Sequence, residues 1–209
     1  MLGLGLLLAL VVVAQGWARV PDGHVLEYQV MRRGKEIGRH RVWFRHLEDH
    51  LRVETQVRIA VKFAFITLFR FELDGYEKWR DGRLMAMEST TNDNGKRHVV
   101  RAVANGTTID VEADGKTWSA PATIMPSSLW HRDMVKGSPL LSVKLGKPVE
   151  VEFEEVGRET VTARGGEVSA TRYVVTGDFE RELWYDDDGI LVHLRLHRDD
   201  GVDIVYTLI

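Results

Sequence analysis

From Val25 onward the chain is interrupted about every ten residues by a dipeptide suited to a tight turn, and this rhythm limits its possible folds more than any other feature. Gly34-Lys35, Asp81-Gly82, Asn94-Gly95, Asn105-Gly106, Asp114-Gly115, Gly165-Gly166, Asp188-Gly189 and Asp200-Gly201 each separate two runs rich in Val, Ile, Thr and aromatic residues. Asn-Gly and Asp-Gly accept the positive φ angles that two-residue hairpins demand. Strands joined in this way are antiparallel neighbours, and a long meander of them must curl or close. The expected fold is therefore all-β and mainly antiparallel: a long meander forming a barrel or half-open barrel, with one short covering helix around 126–135.

Alternation within the runs supports this reading. Leu51, Val53, Thr55, Val57, Ile59, Val61 and Phe63 share one face of a strand, while Arg52, Glu54, Gln56, Arg58 and Lys62 share the other. Val149-Val151-Phe153, Ile190-Val192-Leu194-Leu196 and Val202-Ile204-Tyr206-Leu208 repeat the pattern. Between Ser119 and Lys147 the period of two disappears. Ser127 there is a candidate N-cap and Gly137 a stop, which predicts a helix of about two to three turns carrying Leu129, Trp130 and Met134 over the sheet. An irregular loop bounded by prolines is the alternative.

The N-terminus reads as an export signal. Leu2–Val13 is apolar throughout but too short to span a bilayer, and Gly16 and Ala18 place small side chains where a signal peptidase cuts. This gives a signal peptide over 1–18, a single β-rich domain over 19–209 and a periplasmic location; a short membrane anchor or a buried strand is the competing reading. No later stretch is long enough to span a membrane as a helix. There is no cysteine, so disulfides, thiolate metal sites and a lipidated N-terminal Cys are excluded. A net charge of −3 with interspersed signs gives no case for nucleic acid.

Ala60–Leu73 is the segment that most suggests a function. Val61, Phe63, Phe65, Phe69, Phe71 and Leu73 form one apolar face, yet Ala64, Ile66 and Leu68 lie on the face where neighbouring strands are charged. Leaving Ile66 and Leu68 in water forgoes roughly 1.5–3 kcal/mol each, so a partner is expected over them. The candidates are the 126–135 helix, a subunit interface, or an apolar ligand such as an acyl chain held between sheet and helix. Lys62 and Arg70 flank the segment, either as guards against edge pairing or as contacts for the polar end of an amphipathic ligand.

His193, Arg195 and His197 are the densest titratable group. On a strand they point one way, with His193 and His197 about 13 Å apart, too far to share a metal ion. They make either a cationic row for a carboxylate or phosphate, or an exposed face paired with Asp203 and the acids of Phe179–Tyr185. No nucleophile elbow, zinc-helix motif, phosphate loop or dinucleotide fingerprint occurs, so no catalytic residue, cofactor or metal is assigned.

Phe69-x-Phe71-Glu72, Glu77-x-Trp79-x-Asp81-Gly82-Arg83-Leu84, Thr90-Thr91-Asn92-Asp93-Asn94-Gly95, Ala170-x-Arg172-Tyr173, Gly177-Asp178 and Leu183-Trp184-Tyr185-Asp186 with Gly189 follow in that order. Together they resemble an exported bacterial family known only as a domain of unknown function (six-one-three-four). That resemblance implies export, a single β-rich domain and a looser likeness to periplasmic lipoprotein carriers with curved sheets, but no established activity. Under the carrier analogy Ile66, Leu68 and Trp130 would line the cavity. The ligand-binding set expected is thus Lys62, Ala64, Ile66, Leu68, Arg70, Leu129, Trp130, Met134, His193, Arg195 and His197.

Three functions follow from the residues. The first is a soluble periplasmic binding or carrier protein for a hydrophobic or amphipathic, lipid-like small molecule. The second is an interaction module in which 60–73 docks an envelope protein or a second copy. The third is an enzyme on a lipid or cell-wall fragment using His193, Arg195 and His197.

Overall fold

The computed structural model describes residues 25–63, 65–198 and 200–209, so the expected leader over 1–18 lies outside the described residues. Five turns have two successive residues with positive φ: Arg33-Gly34, Asp81-Gly82, Asn94-Gly95, Asp114-Gly115 and Arg164-Gly165. That is the turn type whose twist matches paired strands. Two of these turns fall one residue earlier than the glycine-centred reading placed them, at Arg33-Gly34 and Arg164-Gly165. An arginine there accepts a left-handed conformation because the hairpin register demands it, a tertiary requirement that overrides local preference.

Four of these turns, with three other short connections, link β1 (Val25–Arg32), β2 (Lys35–Leu47), β3 (His50–Phe63), β4 (Ile66–Arg80), β5 (Arg83–Asp93), β6 (Lys96–Asn105), β7 (Thr108–Ala113) and β8 (Lys116–Pro121) into one meander; the fifth, Arg164-Gly165, lies in a second meander. An inner segment containing the short strands β9 (Met125–Pro126), β10 (Leu140–Leu141) and β11 (Pro148–Val149) precedes that second meander. The second meander comprises β12 (Val151–Ala163), β13 (Gly166–Gly177), β14 (Arg181–Tyr185), β15 (Leu191–Leu196) and β16 (Ile204–Leu208). Antiparallel pairing of β16 with β1 fuses the two into a 13-stranded sheet running from β12 to β16 and then from β1 to β8. Edges β8 and β12 do not pair, so the sheet is a half-open barrel.

Strand alternation decides which side is the core. On β3, Leu51, Val53, Val57 and Ile59 are buried; on β7, so are Ile109, Val111 and Ala113, with Asp110 and Glu112 exposed between them. The concave side is filled by the inner segment, in which Met134, Leu140 and Leu141 are wholly buried. At roughly 1.5–3 kcal/mol for each large side chain withdrawn from water, this plug is a major part of the core. Its polar backbone is tied to the wall from several strands. The Tyr185 hydroxyl donates to Leu129 O at 2.8 Å, Trp118 Nε1 to Gly146 O at 2.7 Å, and the Ser89 hydroxyl to Val143 O.

The covering element is shorter than the helix expected over 126–135. Leu129 sits at φ +72°, which breaks any right-handed helix at that point, and only a 3-10 turn at Arg132–Lys136 forms. Its N-cap is His131, whose ring accepts from Asp133 N, rather than Ser127; the stop at Gly137 lies where the sequence placed it. Gly146 fixes the plug against the wall. Its φ is +58°, and a Cβ there would approach Ala113 Cβ to 2.5 Å.

Candidate functional site

A cavity of about 720 Å³ remains between the plug and the concave wall. Its volume falls within the range of pockets that hold small molecules. One side is the apolar ribbon of β3 and β4, with Val57, Ile59, Phe69, Phe71 and Leu73; the other is Leu194, Leu196, Ile204 and Tyr206 of β15 and β16. Register explains the ribbon. Ile59 lies opposite Phe71 and Val57 opposite Leu73, so the inward residues of two strands form paired rungs. Leu129, Val143, Leu145 and Val149 of the plug complete the lining. Neighbouring β2 approaches β3 closely at Gly38, where a Cβ would come within 2.0 Å of Arg58 O.

Polar groups interrupt this apolar lining at a few places. Asp93 is paired with Lys144 and Asp200 with Arg32. Asp178 accepts from the Glu150 backbone N–H at 3.0 Å. Glu77 is buried with no cation partner among the described residues; it accepts the indole N–H groups of Trp79 at 2.7 Å and Trp130 at 2.9 Å. Burial pushes its carboxyl above the usual range against the pull of those hydrogen bonds. Trp79 and Trp130 meet edge to face at 5.5 Å, and His131 stacks on Trp79, giving a rigid aromatic floor.

Three further groups on the lining have no hydrogen-bond partner among the described residues. His40 is 4% exposed, its Nε2 is unbonded, and burial lowers its pKa to about 4, so the ring is neutral. Tyr206 lies edge-on to it at 6.1 Å, with its hydroxyl pushed up to about 12 by burial. Arg181 is half-buried on the face of β14 that carries Leu183 and Tyr185, and its guanidinium lies 4.2 Å from the Phe179 ring. Burial lowers its pKa.

The residues singled out from sequence are distributed differently. Leu68 and Leu129 border the cavity. Trp130 and Met134 are buried in the floor and the plug instead of lining it. Ile66 and Leu68 are 64% and 58% exposed and Phe65 is fully exposed, at the tip of the β3–β4 hairpin. They project beyond the plug because β3 and β4 are longer than the strands around them, so the covering expected over them is not supplied by 126–135. Lys62 and Arg70 are exposed on the same hairpin, and Ala64 lies outside the described residues.

His193, Arg195 and His197 share one face, the outer one across the sheet from the cavity, where Arg195 and His197 meet Glu182 and Asp203 as the second of the two expected readings had it. Cross-strand register sets Arg195 opposite Glu182, which also binds Arg172 and His197. His197 additionally meets Asp203 at 3.1 Å. Burial works against charging His197, yet the hydrogen bonds its ring donates to Asp203 and Glu182 raise its pKa. Burial lowers that of His193. Among the described residues no group of three His, Cys, Asp or Glu side chains is placed to hold a metal ion, and no helix is long and apolar enough to cross a membrane.

Sequence reasoning missed Arg181, His40, Tyr206 and Glu77. A signal existed: each is a polar residue on the apolar face of its strand, as in Arg181-Leu183-Tyr185 and Gly38-His40-Val42-Phe44.

Comparison with known proteins agrees with this architecture. A beta-barrel-like protein from Brucella abortus, assigned to the domain of unknown function DUF1849, superposes with a TM-score of 0.61 over 88% of this chain and 95% of its own, at 9% identity. At that identity the likeness is one of fold. No curated protein matches the sequence. Residues 28–209 match the family described as Domain of unknown function (DUF6134), and the chain belongs to that family.

Proposed function

We propose that the protein binds or carries a hydrophobic or amphipathic, lipid-like small molecule in the bacterial periplasm. The observation that carries this reading is the cavity of about 720 Å³ with one wall made by the apolar rungs of β3 and β4. A closed core would bring those side chains into contact with others, since native interiors leave few voids larger than a water molecule. Export is part of the proposal and rests on the Leu2–Val13 run followed by Gly16 and Ala18.

Native mass spectrometry of the protein purified from its own cell envelope tests it. The expected result is a non-covalent apolar adduct, lost when Ile59→Trp narrows the cavity. Ligand-free protein, together with no uptake of dodecanol or dodecanoate by the purified protein, refutes the reading.

A second reading is favoured by the exposed tip of Phe65, Ile66 and Leu68, which suits a protein partner. Sedimentation separates the two: a concentration-dependent dimer abolished by Leu68→Glu supports a second copy docking through the tip. A monomer at all concentrations removes self-association.

A further inference from the structure

We infer that Arg181, with Tyr206 and His40, forms a subsite for the anionic headgroup of a single-chain amphiphile, a carboxylate or a phosphate monoester, whose chain lies along the rungs of β3 and β4. This rests on the carrier reading and specifies the chemistry of its ligand.

Arg181 differs from the other arginines of this protein. Each of the other half-buried ones has a carboxylate, hydroxyl or carbonyl partner, as in Arg32–Asp200, Arg58–Asp74, Arg132–Tyr173 and Arg172–Glu159. Arg181 has none among the described residues, and its neighbour is the Phe179 ring. A cation withdrawn from water without a counter-ion is costly, and folds normally pair it. Of the acids that also border the cavity, Asp93 is engaged by Lys144, Asp200 by Arg32, Asp178 by a backbone amide and Glu77 by two indoles, while Glu88 is exposed on β5.

The neighbouring groups suit an anion as well. Tyr206 lines the same cavity on the same inward face, since Arg181 lies opposite Leu196 and Leu196 opposite Ile204, two residues from Tyr206, and its hydroxyl has a donor to give. His40, nine-tenths buried with Nε2 unbonded, lies beside Tyr206 and is a neutral ring that can donate one further hydrogen bond. A guanidinium offers two parallel donors to one carboxylate or phosphate, the strongest neutralisation available to it. The apolar rungs of Val57–Leu73 and Ile59–Phe71 form the wall that an acyl chain would cover.

The test measures binding of dodecanoate, dodecyl phosphate, dodecanol and inorganic phosphate to the purified protein and to Arg181→Gln and Arg181→Lys. For the wild type, about 10-fold or greater preference for the two charged amphiphiles over dodecanol is expected, the usual effect of a charge-assisted hydrogen bond. Arg181→Gln should remove the preference by weakening the two charged amphiphiles about 10-fold more than dodecanol, and Arg181→Lys should restore part of it. The melting temperature of Arg181→Gln without ligand should equal or exceed that of the wild type, because a half-buried charge without a counter-ion has been removed.

Equal binding of charged and neutral chains by the wild type, or a preference that survives Arg181→Gln, overturns the headgroup site while leaving the carrier reading intact. Inorganic phosphate binding as tightly as dodecyl phosphate overturns the amphiphile. Failure of all three chains to bind overturns the carrier reading itself.

Discussion

Glu77 joins the wall to the plug, and replacing it separates the two physical roles of its carboxyl. One oxygen accepts the indole N–H of Trp79 from its own strand and that of Trp130 from the plug. Glu77→Ala leaves both buried donors without an acceptor, at about 1–3 kcal/mol each, so a loss of about 2–6 kcal/mol is expected. Glu77→Gln keeps a carbonyl oxygen for both indoles and removes only the ionisation. Because burial raises the folded-state pKa of Glu77 above 4.5, its contribution is complete below that value and is lost as pH rises through the folded value. The glutamine variant should therefore match the wild type near pH 4 and become the more stable of the two toward neutral pH, by about 1.4 kcal/mol for each unit by which the pKa is raised. Urea unfolding at several pH values, analysed for midpoint and slope, gives these numbers. Equal destabilisation by Ala and Gln, or a gap between Gln and wild type that is independent of pH, would refute the reasoning.

Three other outcomes are expected. Gly146→Ala forces a Cβ to within 2.5 Å of Ala113 Cβ at a backbone φ of +58°, so it should cost about 2–4 kcal/mol in urea unfolding; a loss below about 0.5 would mean the plug sits further from the wall. His40, with a folded pKa of about 4 against 6.5, contributes stability that is present above 6.5 and lost as pH falls through 4, so His40→Phe should abolish roughly 3 kcal/mol of acid destabilisation in that window. An unchanged acid profile would show that His40 is not buried as a neutral ring. On the outer face, NMR titration should place His197 above 6.5, with Glu182→Gln bringing it down; no change in the variant would exclude Glu182 as a cause.

The meander was legible because its turns are chemically specific: Asp81-Gly82, Asn94-Gly95 and Asp114-Gly115 are both the sequence signal and the observed positive-φ pairs. The plug was not, since its conformation comes from tertiary bonds. Nothing local to Leu129 signals a left-handed residue; the Tyr185 hydroxyl binding its carbonyl holds it there. The two-sided apolar strand around Ile66 was visible, but of the coverings expected over it the 126–135 segment is not one: the inward rungs lie at Val57–Leu73 and Ile59–Phe71, while Ile66 and Leu68 reach past the plug. The His193–His197 row was correctly placed on one face. Of the two readings offered for it, the exposed face paired with Asp203 and the acids of Phe179–Tyr185 is the observed one, because cross-strand register sets Arg195 opposite Glu182. Arg181 drew no notice because a single arginine among apolar residues stands out only once the strand's inward face is known.

The most direct measurement is a crystal structure of the protein with a terminally brominated dodecanoate. The account predicts an anomalous bromine peak beside the Ile59–Phe71 rung, with the carboxylate on Arg181. Bromine absent from the cavity at saturating ligand, with the β3–β4 wall closed onto the plug, would contradict it.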